Sequence, residues 1–388
     1  VSAGWVVTEE KFMSSTRNWL SNLKLRASFG QTGNSSIGNR INTFYNTGDK
    51  NHNYLFGGSL MNGVYASELG NPNLTWETTT EFNIGIDLGF LNDRIRLTAE
   101  YFKRRITDML VTKPLLFYNE VTSIADNAGS TQSQGFELTL NTVNISTRNF
   151  EWNTTLTLSK YNDRWLERAD TWKPASYEKE NDPIRAWWDY RALGILKPGE
   201  KAPTAQPDLL PGQVILEDKD HNGVINNDDK YFMDNGDPKI IYGFNNSLRY
   251  KHFDFNIYFY GEAGRKRGAS YYENWIDTNE NSQNLSTYVY KSFSSENPTS
   301  NNPSILKNSN GTIGDFYLKS IYYIRCGHMT LGYNVPVNKK WISNLRVYAN
   351  VDNPFVITNW SGLDPETDTN TYSYPNVTSY SLGLNITF

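Results

Sequence analysis

The sequence predicts an all-β fold, a transmembrane antiparallel β-barrel with long loops gathered on one side. Apolar residues alternate with polar ones through segment after segment. No run of about 18 apolar residues occurs, so membrane-spanning helices are excluded. Connections between the alternating segments are by turns very short and very long. The 388 residues are 38% hydrophobic but 14% aromatic, and that aromatic content excludes disorder. Mean hydropathy is -0.60, a polar average that strict alternation and long loops produce together. A soluble sandwich or propeller shares this composition, and the sorting of loops favours the barrel.

Taken in order, alternation places spanning strands near 1–8, 21–30, 76–90, 94–109, 132–145, 150–165, 240–250, 253–264, 319–335, 344–357 and 377–388. In the third, Phe82, Ile84, Ile86, Leu88 and Phe90 alternate with Asn83, Gly85, Asp87 and Gly89. The last is as regular, with Tyr380, Leu382, Leu384, Ile386 and Phe388 on one side. Tight turns follow at Asn92-Asp93, Ser146 to Asn149 and Lys251-His252. Polar segments near 31–75, 110–131, 166–239, 265–318 and 359–376 separate the others, with Tyr54–Met61 and Trp187–Leu196 expected as ordered pieces inside them. Short turns on one side and long loops on the other are the pattern of an outer-membrane barrel.

These strands number eleven, whereas bacterial single-chain barrels have even counts. An open sheet has no stable place in lipid, because its edges stay unpaired. Further strands are therefore expected outside the chain, and Val1, inside a strand, reads as a cut or processed end. Lys+Arg total 37 against 41 Asp+Glu, net -4 without a basic stripe, which leaves nucleic acid without an electrostatic footprint. The single Cys326 reads as a small buried hydrophobe.

Several stretches then point to a family: Val1-Ser-Ala-Gly-Trp5, Asn18-Trp-Leu through Gly30-Gln-Thr-Gly-Asn34, and Asn71-Pro-Asn-Leu-Thr-Trp-Glu77 leading into Phe82-Asn-Ile-Gly-Ile-Asp-Leu-Gly-Phe90. Ala99-Glu-Tyr-Phe-Lys103, Gln134-Gly-Phe-Glu137, Asp218 to Asp229, Tyr242-Gly-Phe244, Met329-Thr-Leu-Gly-Tyr333, Asn344-Leu-Arg-Val-Tyr348 and Gly362-Leu-Asp-Pro-Glu366 continue the series. In this order and spacing the chain resembles the C-terminal half of a SusC/RagA-type TonB-dependent outer-membrane transporter of Bacteroidota. Cys326-Gly-His328 departs from the family's Leu-Lys-Asn-like run. The resemblance implies a barrel of about 22 strands with a plugged lumen. Residues 1–388 are then the C-terminal half of the barrel domain, with the plug and the first barrel half outside this chain. It also implies TonB engaging a missing N-terminal region, a SusD-like surface lipoprotein as lid, outer-membrane lipid around the wall, and a glycan or oligopeptide substrate.

Asp218-Lys-Asp-His-Asn-Gly-Val-Ile-Asn-Asn-Asp-Asp229 has the spacing of a twelve-residue calcium loop. Asp218, Asp220 and Asn222 take positions 1, 3 and 5, Val224 offers its carbonyl at 7, Asn226 falls at 9 and Asp229 closes at 12. Gly223 supplies the sharp turn. The expected occupant is structural Ca2+, and the alternative is a solvated Asn/Asp/Gly turn. Loop aromatics Trp172, Trp187, Trp188, Tyr190, Tyr271, Tyr272 and Trp275 are candidates to stack on a sugar or peptide. Trp187, Trp188 and Tyr190 are the ones expected on the lumen side, and loop packing is the competing account. Tyr380, Leu382, Leu384, Ile386 and Phe388 form the expected assembly signal and lipid-facing edge.

Catalytic patterns are missing from the sequence: His52, His221, His252 and His328 are scattered, and no carboxylate pair stands out. The expected function is non-enzymatic, import across the outer membrane. Two alternatives remain, an outer-membrane scaffold without transport and a soluble calcium-dependent carbohydrate-binding β protein.

Overall fold

The computed structural model describes residues 1–36, 40–48, 51–119, 121–268, 286–305, 312–337, 341–367 and 374–388. Among them a single sheet of eleven strands dominates, each strand paired to its neighbour in chain order. The strands are β1 Ser2–Val6, β2 Leu20–Asn34, β3 Glu77–Phe90, β4 Ile95–Thr107, β5 Ser130–Ser146 and β6 Phe150–Glu167. They continue as β7 Ile240–Tyr250, β8 Phe253–Arg267, β9 Lys319–Asn334, β10 Asn344–Thr358 and β11 Ser379–Thr387. Every pairing is antiparallel, as short turns permit. β1 and β11 are the two edges.

The alternation sorts side chains to two faces. Leu158, Tyr242, Leu138 and Ala99 lie in register across β6, β7, β5 and β4, and Tyr380, Leu382 and Leu384 face Val351, Ala349 and Val347. This outward face keeps large apolar groups in the open, Leu382 at 87% exposure, which lipid stabilises and water does not. The opposite face carries Arg26, Asp87, Glu100, Asn153, Arg249, Asp254 and Arg346, hydrogen-bonded across strands.

Several strands run further on the loop side than alternation foretells: β2 reaches Asn34, β5 starts at Ser130, and β6 ends at Glu167. Beyond the apolar band both faces meet water, so the ladder continues through polar residues that carry no period-two signal. At the N-terminus the opposite holds: β1 stops at Val6 and a 3-10 turn takes Val7–Glu9. The β3–β4 turn places Leu91, Asn92 and Asp93 all at positive φ, braced by Asp93 N–H donating to Ser21 Oγ at 2.9 Å. The expected ordered pieces are hairpins outside the main sheet, Tyr54–Phe56 with Ser59–Met61 and, in the β6–β7 loop, Trp187–Asp189 with Tyr231–Asp234.

Candidate functional site

The inner face is built from charges placed one residue apart from the apolar ones. Arg26 Nε meets Asp87 at 2.8 Å and its Nη1 meets Glu100 at 2.7 Å, joining β2, β3 and β4. Thr98 Oγ1 adds a bond to Asp87 at 3.0 Å. Arg104 holds Glu81 at 2.9 Å, Arg249 holds Glu151 at 2.7 Å, and Arg346 Nε donates to Asp254 at 3.0 Å. His328 Nε2 and Asn256 Oδ1 meet at 2.8 Å. These pairs make a face of fixed donors and acceptors with their charges compensated in place.

On the loop side of this wall sits Arg325, a buried guanidinium on β9. Asp364 and Glu366, from the segment after β10, both pair with it, and Tyr260 donates to Glu366 at 3.1 Å. Burial alone would raise the Asp364 carboxyl, but the Glu366 backbone N–H and the Arg325 guanidinium hold it below the usual carboxylate range. Trp360 and Pro365 are buried beside it. The latch leaves no periodic pattern in the sequence, although Gly362-Leu-Asp-Pro-Glu366 marks its segment.

The β6–β7 and β8–β9 loops share a buried apolar core. Ile195, Val214 and Leu216 form it, with Tyr190, Ile225, Phe293, Ile313 and Phe316 packed on it. Ala192–Ile195 pairs with Val214–Leu216, while Asp315 N–H donates to Tyr190 O at 2.9 Å and Ser304 N–H to Gly212 O at 2.8 Å. Two segments far apart in sequence thus make one loop unit on the strand ends. Within it Trp188 packs between Tyr177 and Phe232, with ring centroids at 5.3 and 5.5 Å. Tyr190 is half-buried against the core, and Trp187, at the hairpin edge, is 37% exposed. Burial pushes the adjacent Asp189 carboxyl up, against the pull of the Tyr190 N–H. Trp172 sits over the Arg168 guanidinium at 4.4 Å, and Trp165 takes its other contact at 4.7 Å. Tyr271, Tyr272 and Trp275 lie outside the described residues.

The acidic loop brings three carboxylates together. Carboxylate oxygens of Asp218, Asp220 and Asp229 come within 4.8 Å of one another. Asp218 accepts from the N–H groups of Asn222 and Gly223, and Asn222 Oδ1 accepts from Val224 N–H at 2.8 Å. Asp229, fully buried, accepts from Lys219 N–H and Asn226 N–H at 2.8 and 2.7 Å. Asn226 caps the short helix Asn227–Asp229, accepting from Asp228 N–H at 2.8 Å. Lys219 turns its ammonium to the carbonyls of Asp228 and Lys230 and away from the carboxylates. Among the described residues no cationic side chain pairs with the three acids, and a buried carboxylate without a counter-charge is costly. The all-oxygen donor set and its negative charge fit a hard cation such as Ca2+.

At the far edge Tyr380, Leu382 and Leu384 line the outward face of β11. Phe388 stacks on Trp341 at 6.3 Å and 13° between planes.

With this geometry in view, the relatives are informative. The family model for a TonB-dependent receptor-like β-barrel matches residues 1–354. Two TonB-dependent receptors of Formosa agariphila are 27% and 29% identical over 99% and 100% of this chain. The TonB-dependent receptor SusC of Bacteroides thetaiotaomicron is 27% identical over 100% of it. The chain spans 40–42% of the length of these relatives. Structures of the RagAB peptide importer share the fold at TM-scores of 0.79 and 0.80 and 20% identity, covering 100% of this chain and 43% and 42% of theirs. The chain belongs to the TonB-dependent receptor-like β-barrel family of the outer membrane.

Proposed function

We propose that this chain supplies the C-terminal half of the barrel of a nutrient importer, passing a glycan or oligopeptide across the outer membrane. Energy would come through TonB acting on a region outside this chain, and a SusD-like surface lipoprotein would close the mouth. The observation that carries the reading is the division of one sheet into an apolar outward face and a charge-compensated inward face, with every long loop on one side. Such a wall conducts polar solutes, and the long loops offer the lid a folded surface. The chain itself does no chemistry in this reading; the wall carboxylates Asp87, Glu100, Glu81, Glu151 and Asp254 are each engaged by an arginine. Trp187, the most exposed of the three lumen-side candidates, is the residue expected to touch substrate, with Trp188 and Tyr190 supporting it from behind. Ca2+ in the loop from Asp218 to Asp229, with Asp220, Asn222, the Val224 carbonyl and Asn226 completing the ligands, would stiffen the loop unit.

The test is uptake of labelled oligosaccharides and oligopeptides by cells carrying the full-length receptor, a deletion, or a receptor with its TonB-interacting segment disrupted. Loss of uptake in both altered strains is expected. Unchanged uptake with a surface complex that falls apart would establish a scaffold instead. Recovery of the full-length protein in a detergent-free soluble fraction would end both barrel readings.

A further inference from the structure

The turn-side half of the outward face carries one connected polar chain. Thr142 Oγ1 donates to Asn144 Oδ1 at 2.9 Å, and Asn144 Nδ2 donates to Thr154 Oγ1 at 2.7 Å. Thr154 Oγ1 passes the bond on to Asn246 Oδ1 at 2.8 Å, and the Trp152 indole N–H donates to the same oxygen at 2.9 Å. These residues sit on β5, β6 and β7, with Asn246 opposite Thr154 between the apolar pairs Phe244/Leu156 and Leu248/Trp152.

An indole N–H only donates, so the Asn246 atom facing Trp152 is its oxygen and the amide orientation is determined. Two of these four bonds therefore end on that carbonyl, and the Asn246 amide NH2 has no hydrogen-bond partner among the described residues. Two bonds accepted at the carbonyl polarise the amide and strengthen its N–H donors. On a face bathed in acyl chains an unmet donor is costly. Whatever meets it must bring an acceptor, and the flanking apolar rows bring none.

Charge identifies the rest of the ligand. Arg148 and Lys251 are exposed in the two turns beneath, and Lys251 N–H donates to Asn149 O at 2.8 Å, tying those turns together. The Lys251 ammonium lies over the Tyr250 ring at 5.4 Å. Tyr250 belongs to the outward row with Phe253 and Phe150, so this cation is held on the lipid side. Tyr250 and Trp152 thus stand as an aromatic layer between two cations at the turns and a donor further in, the arrangement of a membrane interface.

We propose that this surface binds one glycerophospholipid of the periplasmic leaflet, its phosphate facing Arg148 and Lys251 and an ester carbonyl accepting from Asn246 Nδ2. The inference rests on the outer-membrane reading, and fractionation of the full-length receptor checks that reading first. The experiment is native mass spectrometry of the full-length receptor extracted in mild detergent, counting co-purified phospholipid, with folding verified by heat-modifiable migration. Asn246→Leu is expected to lower retained phospholipid by about threefold to tenfold, the scale of one lost hydrogen bond. The double variant Arg148→Ala/Lys251→Ala, which leaves the sheet untouched, is expected to do the same and decides the matter if Asn246→Leu fails to fold. Unchanged retention in a folded variant overturns the proposal. So does dissociation of a receptor dimer without lipid loss, which would assign the surface to a second copy of the chain.

Discussion

Arg325 Nη2 donates to Asp364 Oδ2 at 2.7 Å, both residues almost without solvent exposure, and so ties a wall strand to the loop leading into the last strand. Removing one partner of a buried ion pair strands the other charge. Arg325→Met is therefore expected to destabilise the purified full-length receptor by about 3–5 kcal/mol. It should also expose segment 359–367 to protease. Arg325→Lys should recover only part, since a point charge cannot serve Asp364 and Glu366 as a planar fork does. An unaltered digestion pattern in Arg325→Met would remove the latch from the account.

The same contact has a defined pH window. Asp364 is held below the usual carboxylate range, so its stabilising contribution is present above the ordinary value of about 3.9 and is lost as pH falls through its own lower value. Protease resistance of 359–367 should stay flat from neutral pH down to about 4 and drop below that. A drop between pH 6 and 5 would point to another group.

The loop unit is expected to fail on its own while the barrel stands. Leu216 is 2% exposed in a core contributed by two loops. Leu216→Ala should cost about 2–5 kcal/mol locally. Hydrogen exchange should rise across 190–217 and 312–318 together, with heat-modifiable migration of the barrel unchanged. Exchange rising in only one segment would show that the loops are independent.

Calcium should bind the full-length receptor and stiffen the segment around Asp218 to Asp229. Isothermal calorimetry is expected to show binding that Asp229→Asn weakens by about tenfold or more, because one of three converging charges is lost. Chelation should raise protease sensitivity of the β6–β7 loop. No calcium heat in the wild-type receptor, with Asp218→Ala indistinguishable from it, would leave only a solvated turn.

Deleting Phe388 should lower the yield of folded receptor in the outer membrane. It ends the outward row of Tyr380, Leu382, Leu384 and Ile386 and stacks on Trp341. Trp341→Ala, which removes only the stack, should cost about 1 kcal/mol of stability and leave yield nearly intact. Equal yields for the deletion and the intact receptor would deny the terminal aromatic an assembly role.

All eleven strands were legible in the sequence, each overlapping its observed range, because lipid on one side and water on the other force a strict period of two. The strand ends above the apolar band were not, since water on both faces erases that period. Asp218 to Asp229 could be read as one loop because its three converging acids lie within twelve consecutive residues. Arg325 with Asp364, Tyr190 with Asp315, and Trp152 with Asn246 were beyond reach, at separations of 39, 125 and 94 residues in the chain. The sequence by itself determined the faces and the order of the strands, because local alternation and turn length encode both. Only the tertiary structure decided which loops share a core, which charges find partners, and which amide donor is left without one among the described residues. Those outcomes depend on the register of strands that meet across long connections, and no local period records it.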